Sequence, residues 1–300
     1  MLKILDSQTA LFVTFIRAIA YQSPKNNILK DPYAEKFLPW LMRRPLKRKL
    51  FVKLTEKILR RNKIGNNILI RARYAENQLE NCIKQGVKQY IILGAGWDSF
   101  AFRKQDLLKD LNVFELDFPS TQEKKRKKLK QLGLTLPKNV HLTPIDFETT
   151  SISEALSKST FDPNLPTFVT WQGVTYYLSI DAIEHVFDDL GNYCKGKLDI
   201  VLDYIDDRYF ENWKKNRHTR RLHYAVSLVG EPFKSGFNPK TFSSWLNERG
   251  YDLSEDLNIK TQIEYFGQEN LDAFQPSRGI HLAHIKKQAS HHPNTLEKSI

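Results

Sequence analysis

Three hundred residues with 41% apolar and 27% charged side chains describe an ordinary globular chain, long enough for one large core or two small ones. Two cysteines are too few for a disulfide framework, so Cys82 and Cys194 read as buried thiols in a reducing compartment. The net charge of +12 is concentrated: between Arg43 and Lys63 ten Lys/Arg face one acid, Glu56, leaving the remainder nearly balanced and arguing against a globally basic nucleic-acid binder.

The chain opens with a broad apolar helical pattern over residues 8–20. Arg17 interrupts it and no small-residue cleavage site follows, so it does not read as a signal peptide. No run approaches the roughly 18 apolar residues of a membrane span, and the expected location is cytoplasmic. Asp31 caps a turn and Pro32 starts a short helix. In the basic segment Leu46, Leu50, Leu54 and Ile58 recur every four residues, predicting one helix with a greasy face. That helix either lies over a core with its cations solvated, the commoner case, or docks on acidic lipid, nucleic acid or protein. Residues 66–85 form a further helix, and Arg71 or Arg73, one turn in, is a candidate for a ligand carboxylate.

Residues 89–93 read as a strand covered on both faces, running into Gly94-Ala95-Gly96 and then a helix. Such a turn brings bare backbone and a helix N-terminus together, where a nucleotide-like ligand can approach both. By itself the pattern is weak. The second strand, 112–117, ends in Asp117, 21 residues beyond Gly96. In a doubly wound sheet this places a carboxylate beside the glycine turn, able to accept from both ribose hydroxyls of an adenosine. Ser99 stands where a third glycine would clamp a pyrophosphate. An adenosyl ligand without phosphates fits better, and S-adenosyl-L-methionine is the best known.

Further on, the run Glu123–Lys128 reads as a solvated helix face. Strand three (139–145) ends at Asp146-Phe147, strand four (167–171) at Gln172-Gly173, and strand five at Tyr204. Strand–helix alternation at this spacing predicts a mostly parallel sheet with right-handed crossovers. Residues 206–237, rich in Arg, aromatic residues and His, break the rhythm and read as a lid over the crevice. A helix over 239–250 and two last strands, 259–266 and 279–285, complete the chain, with a disordered polar tail over 289–300. His291 and His292 lack further ligands at metal spacing, so no metal is expected.

Taken together, Thr9-Ala10, Asp31-Pro32-Tyr33-Ala34, residues 71–76, Leu93 to Arg103, Phe114 to Pro119, Gln172 to Leu178 and Gly230-Glu231-Pro232-Phe233 resemble, in order, the leucine carboxyl methyltransferase-like family of S-adenosylmethionine-dependent methyltransferases. The resemblance implies a Rossmann-like, doubly wound, seven-stranded α/β sheet in a single domain over 1–288. It would comprise a helical cap (1–86), a cofactor-binding core (87–205), a lid insertion and helix (206–250) and final strands (251–288). It also implies that Arg71 pairs with the cofactor's carboxylate and that Gly94, Ala95 and Gly96 lie under it. Asp117 would hold the ribose with Phe118 adjacent, and Asp146 and Phe147 would flank the adenine. Arg103 and Lys125 match family positions where a structural role is expected. Gln172 departs from the usual glutamate facing the cofactor's amino group, an exchange costing roughly 1 kcal/mol of binding; Gly173 follows it.

The implied activity is methyl transfer to a carboxylate or hydroxyl of a small molecule or protein, with a non-catalytic binding protein of the same fold as the alternative. A carboxylate acceptor needs no base and a hydroxyl does. Tyr176, Tyr204 and His223 are the candidates to border the methyl group or supply that base. Neither the acceptor nor the oligomeric state is legible.

Overall fold

In the computed structural model, which describes residues 6–62, 65–147, 149–208, 233–271 and 275–288, the chain begins with five helices. These are α1 (Asp6–Gln22), α2 (Ala34–Phe37), α3 (Trp40–Leu46), α4 (Lys49–Asn62) and α5 (Asn66–Lys84). The alternating core follows with β1 (Gln89–Leu93), α6 (Phe100–Arg103), β2 (Asn112–Asp117), α7 (Pro119–Gln131), β3 (Val140–Pro144) and α8 (Ile152–Ser157). Then come β4 (Thr167–Trp171), α9 (Ile180–Tyr193), β5 (Leu198–Ile205), β6 (Tyr251–Leu257) and β7 (Ile280–Lys287).

The seven strands form one sheet in the order β3-β2-β1-β4-β5-β7-β6. β1 to β5 are parallel, and β7 runs antiparallel to both β5 and β6. The central strands β1, β4 and β5 are buried throughout because both faces are covered. Tyr90 and Ile92 of β1 join one core layer with α5, while Ile91 and Leu93 join the other with α8 and α9. The chain winds outward through β2 and β3, then returns to place β4 on the other side of β1. That reversal opens a crevice beyond the carboxyl ends of β1 and β4, where ligands of open α/β sheets bind.

Three expectations need correction. The segment Ile259–Phe266 is a helix, not a strand: Asn258 caps it by accepting from Lys260 N and Thr261 N, and Gln262 is buried beneath it. The sixth strand is instead Tyr251–Leu257, an edge strand with a bulge between Leu253 and Glu255. The basic segment is two helices, and its four-residue stripe does not face the core. Leu46 is buried, whereas Leu50, Leu54 and Ile58 point outward, and Phe51, Val52 and Leu59 pack inward in their place. Residues 209–232 of the expected lid, and the tail 289–300, lie outside the described residues.

Lys125, within the run read as solvated, is 1% exposed; its ammonium donates to the Glu115 carboxylate and to the Asp98 carbonyl at 2.8 Å. Both cysteines are free, and burial pushes each thiol up to about 12. Cys82 lies beside Asp199 and His284 at the amino end of β5, where His284 Nε2 is 2.9 Å and Lys197 Nζ 3.5 Å from the Asp199 carboxylate.

A buried ionic network fastens the helical cap to the glycine turn. Arg17 Nη1 on α1 lies 3.2 Å from Asp98 Oδ2 and 3.7 Å from Asp31 Oδ2. Ser99 Oγ donates to Asp31 at 2.7 Å, and Arg103 donates to Ser99 Oγ at 2.8 Å and to Glu76 at 2.6 Å. Burial alone would raise the Asp98 carboxyl, but Arg17, Arg103 and Lys125 outweigh it and hold it below the usual carboxylate range. A depressed carboxyl contributes stability that is full above its unfolded value and lost as the pH falls through the folded one. Arg17→Met should therefore cost about 3 kcal/mol at neutral pH, a drop of roughly 6–10 °C in thermal midpoint. In calorimetric scans the gap between wild type and variant should narrow once the pH falls below about 4.

Candidate active site

The first half of the site is the turn after β1. Gly94 N and Ala95 N donate to the Leu116 carbonyl at 2.9 and 3.1 Å, so the turn hangs from the last residues of β2. Gly94 adopts φ +70°, and a Cβ there would come within 2.8 Å of Val174 Cγ2; only glycine satisfies both restrictions. Gly96, at φ +51°, lies under Ala10 of α1. Asp117 bridges the two strand tips: Oδ2 accepts from Gly96 N at 2.5 Å and Oδ1 from Phe118 N at 2.7 Å. Burial raises the Asp117 carboxyl, and those two N–H groups oppose the rise.

The second half lies across the crevice, at the tips of β4 and β5. Arg71 Nη1, from α5, donates to Asp203 Oδ2 at 3.0 Å and to the Tyr176 hydroxyl at 2.9 Å. Asp203 is fully buried; its Oδ1 accepts from Gly173 N at 2.6 Å and its carbonyl from Thr175 Oγ1 at 2.6 Å. Burial would lower the Arg71 guanidinium, but Asp203 and Tyr176 more than compensate and hold it above its ordinary value, so the cation is permanent. Gly173, at φ +71°, lies flat against this group: a Cβ would fall 2.4 Å from Arg71 Nη2. Gln172 Nε2 donates to the Arg71 carbonyl at 2.6 Å, a bond an ionised glutamate could not make. Each tip thus carries an acid at or near the carboxyl end of a strand, a positive-φ glycine and a backbone N–H held by the acid.

Residues 10–191 match the family model described as leucine carboxyl methyltransferase. The chain belongs to the leucine carboxyl methyltransferase family. It is 34% identical over 223 residues to a Bacillus subtilis protein named "Putative S-adenosyl-L-methionine-dependent methyltransferase YktD", covering 73% of this chain and 72% of that one. Among solved structures, a "duf574 family protein" from Streptomyces avermitilis matches 95% of this chain and 100% of its own with a TM-score of 0.60 at 10% identity. A "putative methyltransferase" from Thermobifida fusca matches 80% and 89% with a TM-score of 0.56 at 14% identity. At such identities these two show the fold alone, a class I methyltransferase sheet.

The donor of this methyltransferase is S-adenosyl-L-methionine, and the residues present fit it. Three positions where a Cβ would collide with or press on a neighbour (Gly94, Gly96 and Gly173) leave bare backbone along both walls of the crevice. A carboxylate stands at one tip and a permanent cation at the other, as a ribose and an amino-acid carboxylate require. Asp146 and Phe147 follow β3; the Asp146 backbone carbonyl anchors its own loop by accepting from Thr149 N and Thr150 N, and Phe147 packs on the core layer of α8 and α9. Phe118 is half-buried beside Asp117.

Of the three residues proposed to border the methyl group, Tyr176 is brought onto Arg71, and Phe233 packs on its ring at 5.4 Å. Tyr204 is placed differently. Successive residues of a strand face opposite ways, so with Asp203 turned to Arg71, Tyr204 enters the other core layer. There its hydroxyl donates to Asp256 at 2.7 Å and its ring stacks on His281 at 4.9 Å. His223 lies outside the described residues. The residue missed from sequence is Asp203, although it follows the apolar run Ile200–Leu202 near the carboxyl end of strand five, as Asp117 ends strand two.

Removing the acid of the first tip should be felt directly by the ligand. Asp117→Ala should weaken S-adenosylhomocysteine binding by roughly 30-fold in titration calorimetry, the loss of a charge-assisted contact of about 2 kcal/mol. Gly173→Ala should do comparable damage from the second tip by displacing the guanidinium. Its positive φ adds a strain of about 1 kcal/mol, so the thermal midpoint should fall by only a few degrees while affinity falls at least tenfold.

Proposed function

We propose that this methyltransferase transfers a methyl group to oxygen, and that the acceptor is a carboxylate of a small molecule or of a protein. The observation that carries this reading is the engagement of the two phenols. The Tyr176 hydroxyl accepts from the Arg71 guanidinium, and the Tyr204 hydroxyl donates to Asp256 in the opposite core layer. Neither is placed as a base for a hydroxyl acceptor, and a carboxylate needs none.

When bound, S-adenosyl-L-methionine supplies a sulfonium methyl carbon open to in-line displacement. The chain's part is binding, orientation and exclusion of water. Arg71, held by Asp203 and Gly173, would fix the donor's carboxylate, and Asp117 its ribose. Asp146 and Phe147 would border the adenine, and Gln172 would offer its amide near the amino group. Thr175 Oγ1 and Gly173 N lock Asp203 so that the cation keeps one position. Lys234 N donates to the Tyr176 carbonyl at 2.8 Å, which fastens the backbone at Lys234 to this wall.

Transfer of a radiolabelled methyl group to a panel of carboxylic acids and phenols tests the reading. The expected product is a methyl ester, which releases volatile label in alkali; an alkali-stable ether would overturn it. His223→Ala should retain turnover within about twofold. A loss of 10²-fold or more, the scale of general-base catalysis, would assign His223 that role and point to a hydroxyl acceptor.

A further inference from the structure

The large apolar side chains exposed among the described residues all fall within the first 58 positions: Phe12, Tyr21, Trp40, Leu41, Leu50, Leu54 and Ile58. On α4 the arrangement is regular. Leu50, Leu54 and Ile58 are 79%, 57% and 52% exposed at four-residue spacing, so they form one outward row along the helix. Each is preceded by an exposed lysine (Lys49, Lys53 and Lys57), which lays a cationic row beside the apolar one. The opposite face of the same helix already packs on α1 through Phe51, Val52 and Leu59. The outward Leu50 and Leu54 take no part in that packing.

The preceding helix continues the pattern. Leu41 is 74% exposed and Trp40 60%, with the Arg44 guanidinium over the indole at 5.5 Å. Beside it Glu35, Trp40, Arg43, Arg44 and Lys47 line a cleft of about 190 Å³. Glu56, the one acid between Arg43 and Lys63, is turned inward and accepts from Ser23 Oγ at 2.9 Å. Exposed leucine and tryptophan interleaved with Lys/Arg in excess over acids (Glu56 also pairs with Arg60 at 3.7 Å) is the composition of a helix lying in the plane of an anionic bilayer surface. There the apolar row enters the acyl boundary and the cations meet phosphates.

We propose that α3 and α4 form a docking face for membranes rich in anionic phospholipid. A second copy of the chain is a poorer occupant, because a symmetric contact would bring one cationic row against another. A nucleic acid would use the cations and leave the leucines in water. The inference is independent of the methyl acceptor, since none of these residues belongs to the crevice.

Co-sedimentation of the full chain with vesicles tests it. Vesicles containing 30% phosphatidylserine should retain the protein at least tenfold more strongly than pure phosphatidylcholine, and binding should fall as salt rises from 50 to 500 mM. Leu50→Asn with Leu54→Asn should weaken it at least tenfold, and so should Lys53→Glu with Lys57→Glu. Both pairs are exposed, so thermal midpoints should stay at the wild-type value. Equal binding to both vesicle types, no binding to either, or retention unaffected by the leucine pair would overturn the proposal. So would a solution mass that halves when the leucines are replaced, which would mark a contact between copies. RNA binding lost with the lysine pair and kept with the leucine pair would overturn it too.

Discussion

Asp203 sits fully out of water between a guanidinium from α5 and a backbone N–H from the turn after β4. A buried carboxylate in that position is tolerable only because both oxygens are taken, one by Arg71 and one by Gly173. The arrangement works in both directions. Arg71 would be costly to bury without Asp203, and Gly173 cannot be any other residue while Arg71 lies against it. One ion pair thus decides the residue type at the tip of β4, the position of the Arg71 cation there, and the link between the helical cap and the sheet's carboxyl edge. The glycine turn after β1 repeats the device with Asp117 and Gly96, but there the helix pressing on the glycine is α1.

Both halves depend on helices that precede the sheet in sequence. α1 supplies Ala10 over Gly96 and Arg17 to the network of Asp31, Asp98, Ser99 and Arg103, while α5 supplies Arg71. The cap is therefore part of the crevice rather than an appendage to it. The family match likewise begins at residue 10, well before the first strand.

How much of this was legible follows from which physical signal each residue leaves. Gly94, Gly96 and Asp117 could be placed from spacing alone, because a parallel sheet fixes how far the second strand tip lies from the first turn. Asp203 leaves the same trace, an acid ending an apolar run, but nothing in the primary structure says that Arg71 arrives beside it. β6 leaves a weak signal because an edge strand reading Tyr-Asp-Leu-Ser-Glu-Asp-Leu buries little, and the helix 259–266 reads as a strand because Ile259, Ile263, Tyr265 and Phe266 favour extended backbone intrinsically. Asn258 was the overlooked evidence. In α4 two apolar rows compete on one helix; a four-residue period selects Leu50, Leu54 and Ile58, and only packing reveals that Phe51, Val52 and Leu59 face the body. Tyr204 was misplaced by one residue of strand alternation.

The antiparallel course of β7 has a topological corollary. Ile280 pairs with Ile205 near the crevice, whereas Lys286 pairs with Asp199 at the far rim of the sheet. The polypeptide consequently exits its last strand on the side of the molecule remote from both glycine turns, with Gln288 N bound to the Gly250 carbonyl at 2.9 Å. The last described strand therefore ends at the rim opposite the mouth through which donor and acceptor must enter.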